Sequence, residues 1–262
     1  MISVTSTVDE AVGTLTFANP AQRGALTPEM LVALRAQIVS LERDYPRVRV
    51  VVIRGAGDVF SSGYAIDRIP APHELPVKDE IEELCEAIEN SPLVMIALLR
   101  GPVVGAALDI ASACDFRFAE RTCRLGITPA RLGLVYTVFG TARIRRLVGP
   151  DWARMLFYTG DLLPADLAAT IGLVTKVHDD PGELDRETYQ IAHRIASRAP
   201  LAVSGSKQIF RALESAGDLP PEQVRRLHAL RCHALGSEDA REARLAFTQK
   251  RAPRFTGTGG QP

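Results

Sequence analysis

Two nearly continuous apolar runs constrain the fold of this chain most strongly. Residues 48–55 read VRVVVIRG and residues 93–101 read LVMIALLRG, and each run ends at a glycine. A strand that is apolar along its whole length is buried on both faces, which is typical of a parallel sheet covered by helices on both sides. The two runs therefore predict central strands of an α/β fold.

The segments around these runs support the same class. Residues 2–8 and 11–18 alternate apolar with small polar residues and predict an antiparallel hairpin, while Thr27 followed by Pro28 predicts a helix start. Further strands are expected at 115–120 and 173–178, and further helices at 78–90, 183–198, 200–215, 221–235 and 237–248. We expect an α/β core over residues 1–198. A helical region over residues 199–262 either packs on its own core or reaches another subunit.

Charge and hydropathy exclude several functions. The 262 residues contain 31 Lys and Arg and 31 Asp and Glu, so the formal net charge is zero, and no nucleic-acid partner is expected. The longest purely apolar run, Leu93 to Leu99, is far shorter than the roughly 20 residues that span a bilayer, so no membrane partner is expected. No basic residue precedes Arg23, which argues against a targeting segment and favours a cytoplasmic location.

The spacing of the cysteines does not indicate a metal site. Cys85, Cys114, Cys123 and Cys232 form no CxxC motif and lack metal-ligand spacing, so we expect reduced and mostly buried thiols.

Two segments that follow the predicted central strands offer backbone N–H groups to a ligand. In GPVVGAALD (101–109), small residues stand where a helix begins and leaves its first N–H groups unpaired, and VFSSGYAID (59–67) supplies a second small-residue bend. Two such N–H groups that converge on one oxygen form an oxyanion hole, which stabilises negative charge on a carbonyl. Small residues at turns also serve backbone packing alone, so the pattern leaves both interpretations open.

These segments belong to a longer series of motifs. The series covers nearly the whole chain, and the order of its motifs resembles that of the crotonase, or enoyl-CoA hydratase/isomerase, superfamily. The motifs are NPAQRGALTPEM (19–30), VRVVVIRGAGDVFSSGYAIDRI (48–69), GPVVGAALDIASACDFRFA (101–119), ITPARLGLVYTVFGTARIRRLVG (127–149), AATIGLVTKV (168–177), APLAVSGSKQIFRAL (199–213) and SEDAREARLAFTQKRAPRFTG (237–257).

The resemblance implies a crotonase-like spiral of ββα units with a helical C-terminal trimerisation region, assembled as a homotrimer or a dimer of trimers. It implies chemistry on acyl-CoA thioesters through an enolate, with the backbone N–H groups of Tyr64 and Ala106 as the oxyanion donors. The family usually has glycine where Ala106 stands; the methyl group narrows the pocket and keeps the N–H. No separate cofactor is implied, because coenzyme A is part of the substrate. An acyl-carrier-bound thioester is the alternative substrate.

The acid and base positions depart from the family pattern. Hydratases of this family use two glutamates, whereas this chain has Asp109 at the first position and Pro129 at the second, and proline has no proton to transfer. The run from Thr128 to Tyr136 resembles the methylmalonyl-CoA decarboxylase-like subgroup, which implies that Tyr136 faces the acyl group. Each residue also has a structural interpretation instead of a catalytic one. Asp109 would then be a buried carboxylate that bonds a neighbour, and Tyr136 would be a side chain of the core.

The resemblance also implies where coenzyme A binds. The expected contacts are Arg23, Ala25, Ser62 and Ile66, with Phe247 and Lys250 from the C-terminal helix of a neighbouring subunit. The leading hypothesis is an acyl-thioester lyase of the decarboxylase type. The alternatives are an enoyl-CoA hydratase or dehydratase with altered acid and base groups, and a catalytically silent trimeric scaffold.

Overall fold

The computed structural model describes residues 2–69, 78–215 and 219–258. Its strands are β1 (Ser3–Asp9), β2 (Val12–Ala18), β3 (Val50–Gly55), β4 (Val94–Leu99), β5 (Pro102–Val104), β6 (Phe116–Glu120), β7 (Arg124–Gly126), β8 (Leu163–Pro164) and β9 (Lys176–His178). Its helices are α1 (Pro28–Glu42), α2 (Glu80–Asn90), α3 (Ala106–Ala113), α4 (Val138–Thr159), α5 (Ala165–Thr170), α6 (Pro181–Ala196), α7 (Pro200–Ser215), α8 (Pro221–Gly236) and α9 (Glu238–Thr248).

The main sheet has the order β1-β2-β3-β4-β6-β9 within the described residues. Strands β1 and β2 form the predicted antiparallel hairpin, and every other neighbouring pair in this sheet is parallel. The expected α/β architecture with a mostly parallel sheet is therefore confirmed. Strand β9 is shorter than the strand expected at 173–178.

The central strands are buried on both faces, as their composition predicts. Successive side chains of a strand point to opposite faces of a sheet. On β3, Val51 and Ile53 belong to the core cluster that includes residues of α1, α2, α3 and α4, whereas Val50 and Val52 belong to a second cluster with residues of α6. All six residues of β4 are buried.

Helix starts follow the capping residues of the sequence. The Thr27 side chain accepts a hydrogen bond from the backbone N–H of Met30, which confirms the predicted start of α1. Asp79 caps α2, Asp180 caps α6 and Ser237 caps α9 in the same way.

A second, smaller sheet was not predicted. Strands β5 and β7 pair in parallel, and β7 pairs with β8 antiparallel. Each of these strands has two or three residues, too few for an alternating pattern to be recognised in the sequence. This sheet matters for the site because β5 ends directly before Gly105 and α3.

Arg117 fixes the other end of α3. Its guanidinium is buried and donates to the backbone carbonyls of Cys114 (2.7 Å), Leu173 (2.9 Å) and Ala111 (3.5 Å). Carbonyls at a helix C-terminus have no partner within the helix, so Arg117 supplies one for α3.

The predicted boundary at residue 198 falls between α6 and α7, and the division into two domains stays a prediction. Lys207 on α7 joins the core: its ammonium donates to the Asp115 carboxylate and the Leu93 carbonyl. Helix α9 is tied to the chain end, because buried Asp239 accepts from the backbone N–H groups of Thr256 and Gly257. None of the 16 residues of α8, all of them described, is buried.

The cysteines follow the sequence expectation. Cys85, Cys114 and Cys123 are buried, Cys232 is exposed, and all four are free thiols. Within the described residues, no helix has the length and apolar character needed to cross a bilayer.

Candidate active site

The two predicted turns lie side by side. After β3, the segment from Ser61 to Ala65 runs between β5 and the chain at Leu26. The Ser61 N–H donates to the Pro102 carbonyl (3.0 Å), the Val104 N–H donates to the Ser61 carbonyl (3.3 Å) and the Ala65 N–H donates to the Leu26 carbonyl (2.8 Å). Backbone hydrogen bonds therefore hold this segment in a fixed position beside the start of α3.

Glycines make this approach possible. Gly63 has a φ of 103°, and a Cβ atom there would lie 2.7 Å from the Val104 carbonyl oxygen. Gly105, with a φ of 56°, turns the chain from β5 into α3. Each glycine directly precedes one of the predicted oxyanion donors, Tyr64 or Ala106, and the close approach of Gly63 to Val104 places the two segments that carry these donors side by side.

Both donors have available N–H groups. Ala106 is the first residue of α3, so its N–H has no acceptor within the helix. Among the backbone hydrogen bonds of the described residues, none uses the N–H of Ala106 or of Tyr64. The turns therefore present two unpaired donors, one of them at the positive end of a helix.

Asp109 lies one helical turn after Ala106 and is only 1% exposed. One carboxylate oxygen accepts a hydrogen bond from the Tyr136 hydroxyl (3.1 Å), and the other accepts from the Arg143 guanidinium. The structure thus brings Asp109 and Tyr136 together, and both oxygens of Asp109 have partners.

Arg143 is the residue that the sequence analysis missed. It lies on α4, is 2% exposed and contacts three carboxylates, since besides Asp109 it bonds Glu82 (3.2 Å) and Glu89 (3.0 Å) on α2. We define these four residues as the Arg143 cluster. Their ion pairs join α2, α3 and α4.

A sequence signal for the cluster exists. Arg143 has helical spacing with buried Gly140, Ile144 and Val148, which places it on the inner face of α4. Arg146, on the same helix, is only partly exposed and pairs with Glu89 (3.0 Å).

Burial sets the ionisation of this site. Burial, followed by the negative charge of Asp109, raises the pKa of Tyr136 well above its usual value, so the phenol stays protonated. Burial also raises the pKa of Asp109, while Arg143 opposes that shift. The guanidinium on one oxygen and the phenol on the other both lower the pKa of Asp109, so they offset part of the cost of burying its charge.

Pro129, which the resemblance places where hydratases have a second glutamate, begins a short 3₁₀ helix and supplies no ionisable group. Among the predicted coenzyme A contacts, the Ser62 N–H donates to the Arg23 carbonyl (3.1 Å). Ala25 is nearly buried, and Ile66 is 66% exposed. Arg23, Ala25, Ser62 and Ile66 therefore lie along the same segments as Tyr64.

Phe247 and Lys250 are not brought to these segments. Phe247 is 86% exposed on α9, and no hydrogen bond or ion pair of the described residues joins either residue to the turns. Within one chain they do not complete the predicted site, and their contribution from a neighbouring subunit stays a prediction.

One group of described residues has ligand atoms close enough to hold a metal ion. His178, Glu183 and Glu187 place these atoms within 4.8 Å of one another, on β9 and α6. Lys176 forms an ion pair with Glu187, and its positive charge opposes a bound cation. None of these residues contributes to the turns at Tyr64 and Ala106.

Gly140 gives Asp109 and Tyr136 the space to meet. A Cβ atom at Gly140 would overlap the Asp109 carboxylate and the Tyr136 ring. We expect Gly140→Ala to lower the free energy of unfolding by about 1–3 kcal/mol through overpacking. Gly205→Ala on α7, where a Cβ meets nothing within 4 Å, is the matched control and should stabilise by about 0.4–1 kcal/mol. Urea unfolding measures both; equal effects would contradict this account.

Comparisons with known proteins agree with this geometry. The family model described as "Enoyl-CoA hydratase/isomerase" matches residues 7–258. The methylmalonyl-CoA decarboxylase of Escherichia coli is 29% identical over 216 residues, covering 81% of this chain and 82% of that protein. The crotonyl-CoA hydratase of Syntrophomonas wolfei is 31% identical over 258 residues, covering 94% and 95%. The crystal structure of an enoyl-CoA hydratase/carnithine racemase from Magnetospirillum magneticum has a TM-score of 0.87 at 27% identity, covering 98% and 97%. The chain therefore belongs to the enoyl-CoA hydratase/isomerase family and has the crotonase fold.

Proposed function

We propose that this protein is an acyl-CoA lyase that decarboxylates its substrate through a thioester enolate. The observation that carries the proposal is the environment of Asp109. Both of its oxygens are bonded, one to Arg143 and one to Tyr136, and Pro129 stands where hydratases place a second carboxylate. Hydration by two carboxylates lacks its groups here, whereas decarboxylation needs an oxyanion site and one proton donor.

The reaction follows from these groups. The thioester oxygen is placed between the N–H groups of Tyr64 and Ala106. The bond from the α-carbon to the substrate carboxylate breaks, CO₂ leaves, and the electron pair passes into the enolate. The two N–H groups stabilise the negative oxygen. This stabilisation is stronger in the transition state than in the ground state, so it lowers the barrier.

Tyr136 completes the reaction. Its hydroxyl turns from Asp109 to the α-carbon and delivers a proton, and the phenolate then regains a proton from solvent. Its raised pKa keeps the donor protonated before each turnover. Asp109 acts as a positioning residue that orients the phenol.

Coenzyme A enters as part of the substrate, and no further cofactor is required. Arg23, Ala25, Ser62 and Ile66 form the side of the site nearest the thioester, and Phe247 and Lys250 of a neighbouring subunit complete it. A basic side chain at Arg23 or Lys250 suits the phosphates of coenzyme A. A thioester on an acyl carrier is the alternative substrate.

The second candidate function is hydration of an enoyl-CoA, or its reverse. The relationship to crotonyl-CoA hydratase favours it. In that case Asp109 alone would handle the proton. A third candidate, a catalytically silent trimeric scaffold, follows from the absent second glutamate and predicts that neither substrate is turned over.

Purified protein incubated with methylmalonyl-CoA, malonyl-CoA and crotonyl-CoA separates these functions. We expect CO₂ release from a malonyl-type thioester and slow or no hydration of crotonyl-CoA. The measurements are trapped CO₂ and loss of the enoyl absorbance. Rapid hydration without CO₂ release would overturn the order of the candidates, and turnover of none would favour the scaffold.

Two isosteric variants test the division of labour between Tyr136 and Asp109. Loss of a positioned proton donor typically lowers the rate by about 10²–10⁴, so Tyr136→Phe is expected to lose kcat in that range. Asp109→Asn should retain more activity, because it removes the acceptor that orients the phenol and not the donor. Thermal unfolding verifies that both variants fold. If Asp109→Asn inactivates the protein while Tyr136→Phe does not, a one-carboxylate hydratase becomes the better account.

Helix α8 supports assembly into a trimer or a dimer of trimers. None of its 16 residues is fully buried within the chain, and Val224 and Leu235 are at least half exposed. An isolated helix of this length is marginal in water, so its apolar side chains favour a partner surface. Leu245 and Phe247 on α9 extend the same kind of surface.

Light scattering at micromolar concentration is expected to give three or six times the chain mass of 28.4 kDa. Leu235→Asp on α8 should shift the protein towards monomer. Val32→Asp on α1 is the control, since Val32 is 54% exposed and Leu235 is 56% exposed. A monomeric wild-type protein, or equal dissociation by both variants, would contradict the proposal.

A further inference from the structure

A cleft of about 840 Å³ lies away from the two turns. It is lined by the C-terminal end of α3, the start of β6 and residues of α4 and α7. Ala106 begins α3 and Ser112 lies near its other end, about 9 Å further along the helix axis at 1.5 Å per residue. The cleft and the proposed oxyanion donors are therefore at opposite ends of one helix.

The lining offers apolar surface for a small ligand. Phe116, Leu147 and Phe210 share the wall, and Phe210 is 65% exposed. Pockets of roughly 300–1,000 Å³ with apolar walls and a few polar groups are the usual form of small-molecule sites. The volume and the apolar walls of this cleft fall within that description.

The Ser112 hydroxyl in the lining lacks a partner. Ser112 is 6% exposed, and its oxygen makes no hydrogen bond in the described part of the chain. Buried polar atoms are nearly always hydrogen-bonded, so an orphaned hydroxyl in a cleft wall points to a ligand that supplies the bond.

Charge decides which ligand suits the cleft. The single carboxylate of Glu89 forms ion pairs with three arginines, Arg143, Arg146 and Arg211, so it neutralises each of them only in part. Arg198 lies between α6 and α7, and its guanidinium has no hydrogen bond or ion pair within the described residues. The other cations of the lining are Arg117 and Lys207, and its carboxylates are Glu89, Asp115 and Glu214. Arg143 is already offset by Glu82 and Asp109, and the remaining five cations outnumber the three carboxylates.

We propose that this cleft binds a small organic carboxylate with a short hydrocarbon chain. The carboxylate pairs with the guanidinium of Arg198 and the partly compensated guanidinium of Arg146, which bind carboxylates in a bidentate geometry. The chain contacts Phe116, Leu147 and Phe210. This site is independent of the proposed reaction, because it uses neither the N–H groups of Tyr64 and Ala106 nor the Tyr136 hydroxyl.

Octanoate is the probe, titrated into the full-length protein by calorimetry. Ala202→Trp on α7 fills the cleft from its wall and is expected to weaken octanoate binding at least tenfold. Gln208→Trp, on the same helix but outside the lining, is the matched control and should leave it unchanged. Absence of octanoate binding at millimolar concentration, or equal binding by Ala202→Trp, would overturn the proposal.

A charge variant keeps the test independent of the tryptophan. Arg198 is exposed, so Arg198→Glu is compatible with folding, and it should weaken octanoate binding at least fivefold while leaving the weaker binding of uncharged 1-octanol unchanged. Inorganic phosphate tests the apolar part of the site: it should bind less tightly than octanoate. Equal affinity for phosphate and octanoate, or equal octanoate binding by Arg198→Glu, would contradict the assignment.

Discussion

The ion pairs of the buried Arg143 guanidinium are the interactions on which the candidate active site depends. Arg143 on α4 forms ion pairs with one carboxylate of α3 and two of α2, and these pairs hold the three helices against one another. Removing one partner of a buried ion pair costs several kcal/mol, because the remaining charges lose compensation without regaining water. The cluster therefore specifies a single arrangement of α2, α3 and α4 more strongly than apolar packing alone would.

This arrangement also governs the chemistry available at Asp109. A carboxylate that accepts from a guanidinium on one side and a phenol on the other is a weaker base towards water, because both of its oxygens already have a polar hydrogen as partner. Gly140 permits the contact because it has no side chain at the point where Asp109 and Tyr136 meet. The proposed preference for decarboxylation thus rests on hydrogen-bond occupancy as much as on the proline at position 129.

The sequence was sufficient for the strands and turns that carry the site. The apolar runs at β3 and β4, the cap at Thr27 and the glycines before Tyr64 and Ala106 act locally, so each is readable from a short segment. The partners of Asp109 were not readable in this way, because Arg143 lies 34 residues away and its contacts form only when the helices pack. The short strands β5, β7 and β8 were missed for lack of periodicity. The predicted roles of Phe247 and Lys250 require a second copy of the chain, so a single chain does not test them.

The distribution of cysteines gives the molecule an intrinsic labelling position. Burial raises the pKa of Cys85 well above its usual value and those of Cys114 and Cys123 to about 12, so these thiols react slowly with electrophiles. Cys232 is exposed on α8, a helix with no fully buried residue within its own chain. A maleimide dye added to the native protein would therefore attach at one place, and its accessibility would report whether α8 is covered by a neighbouring subunit.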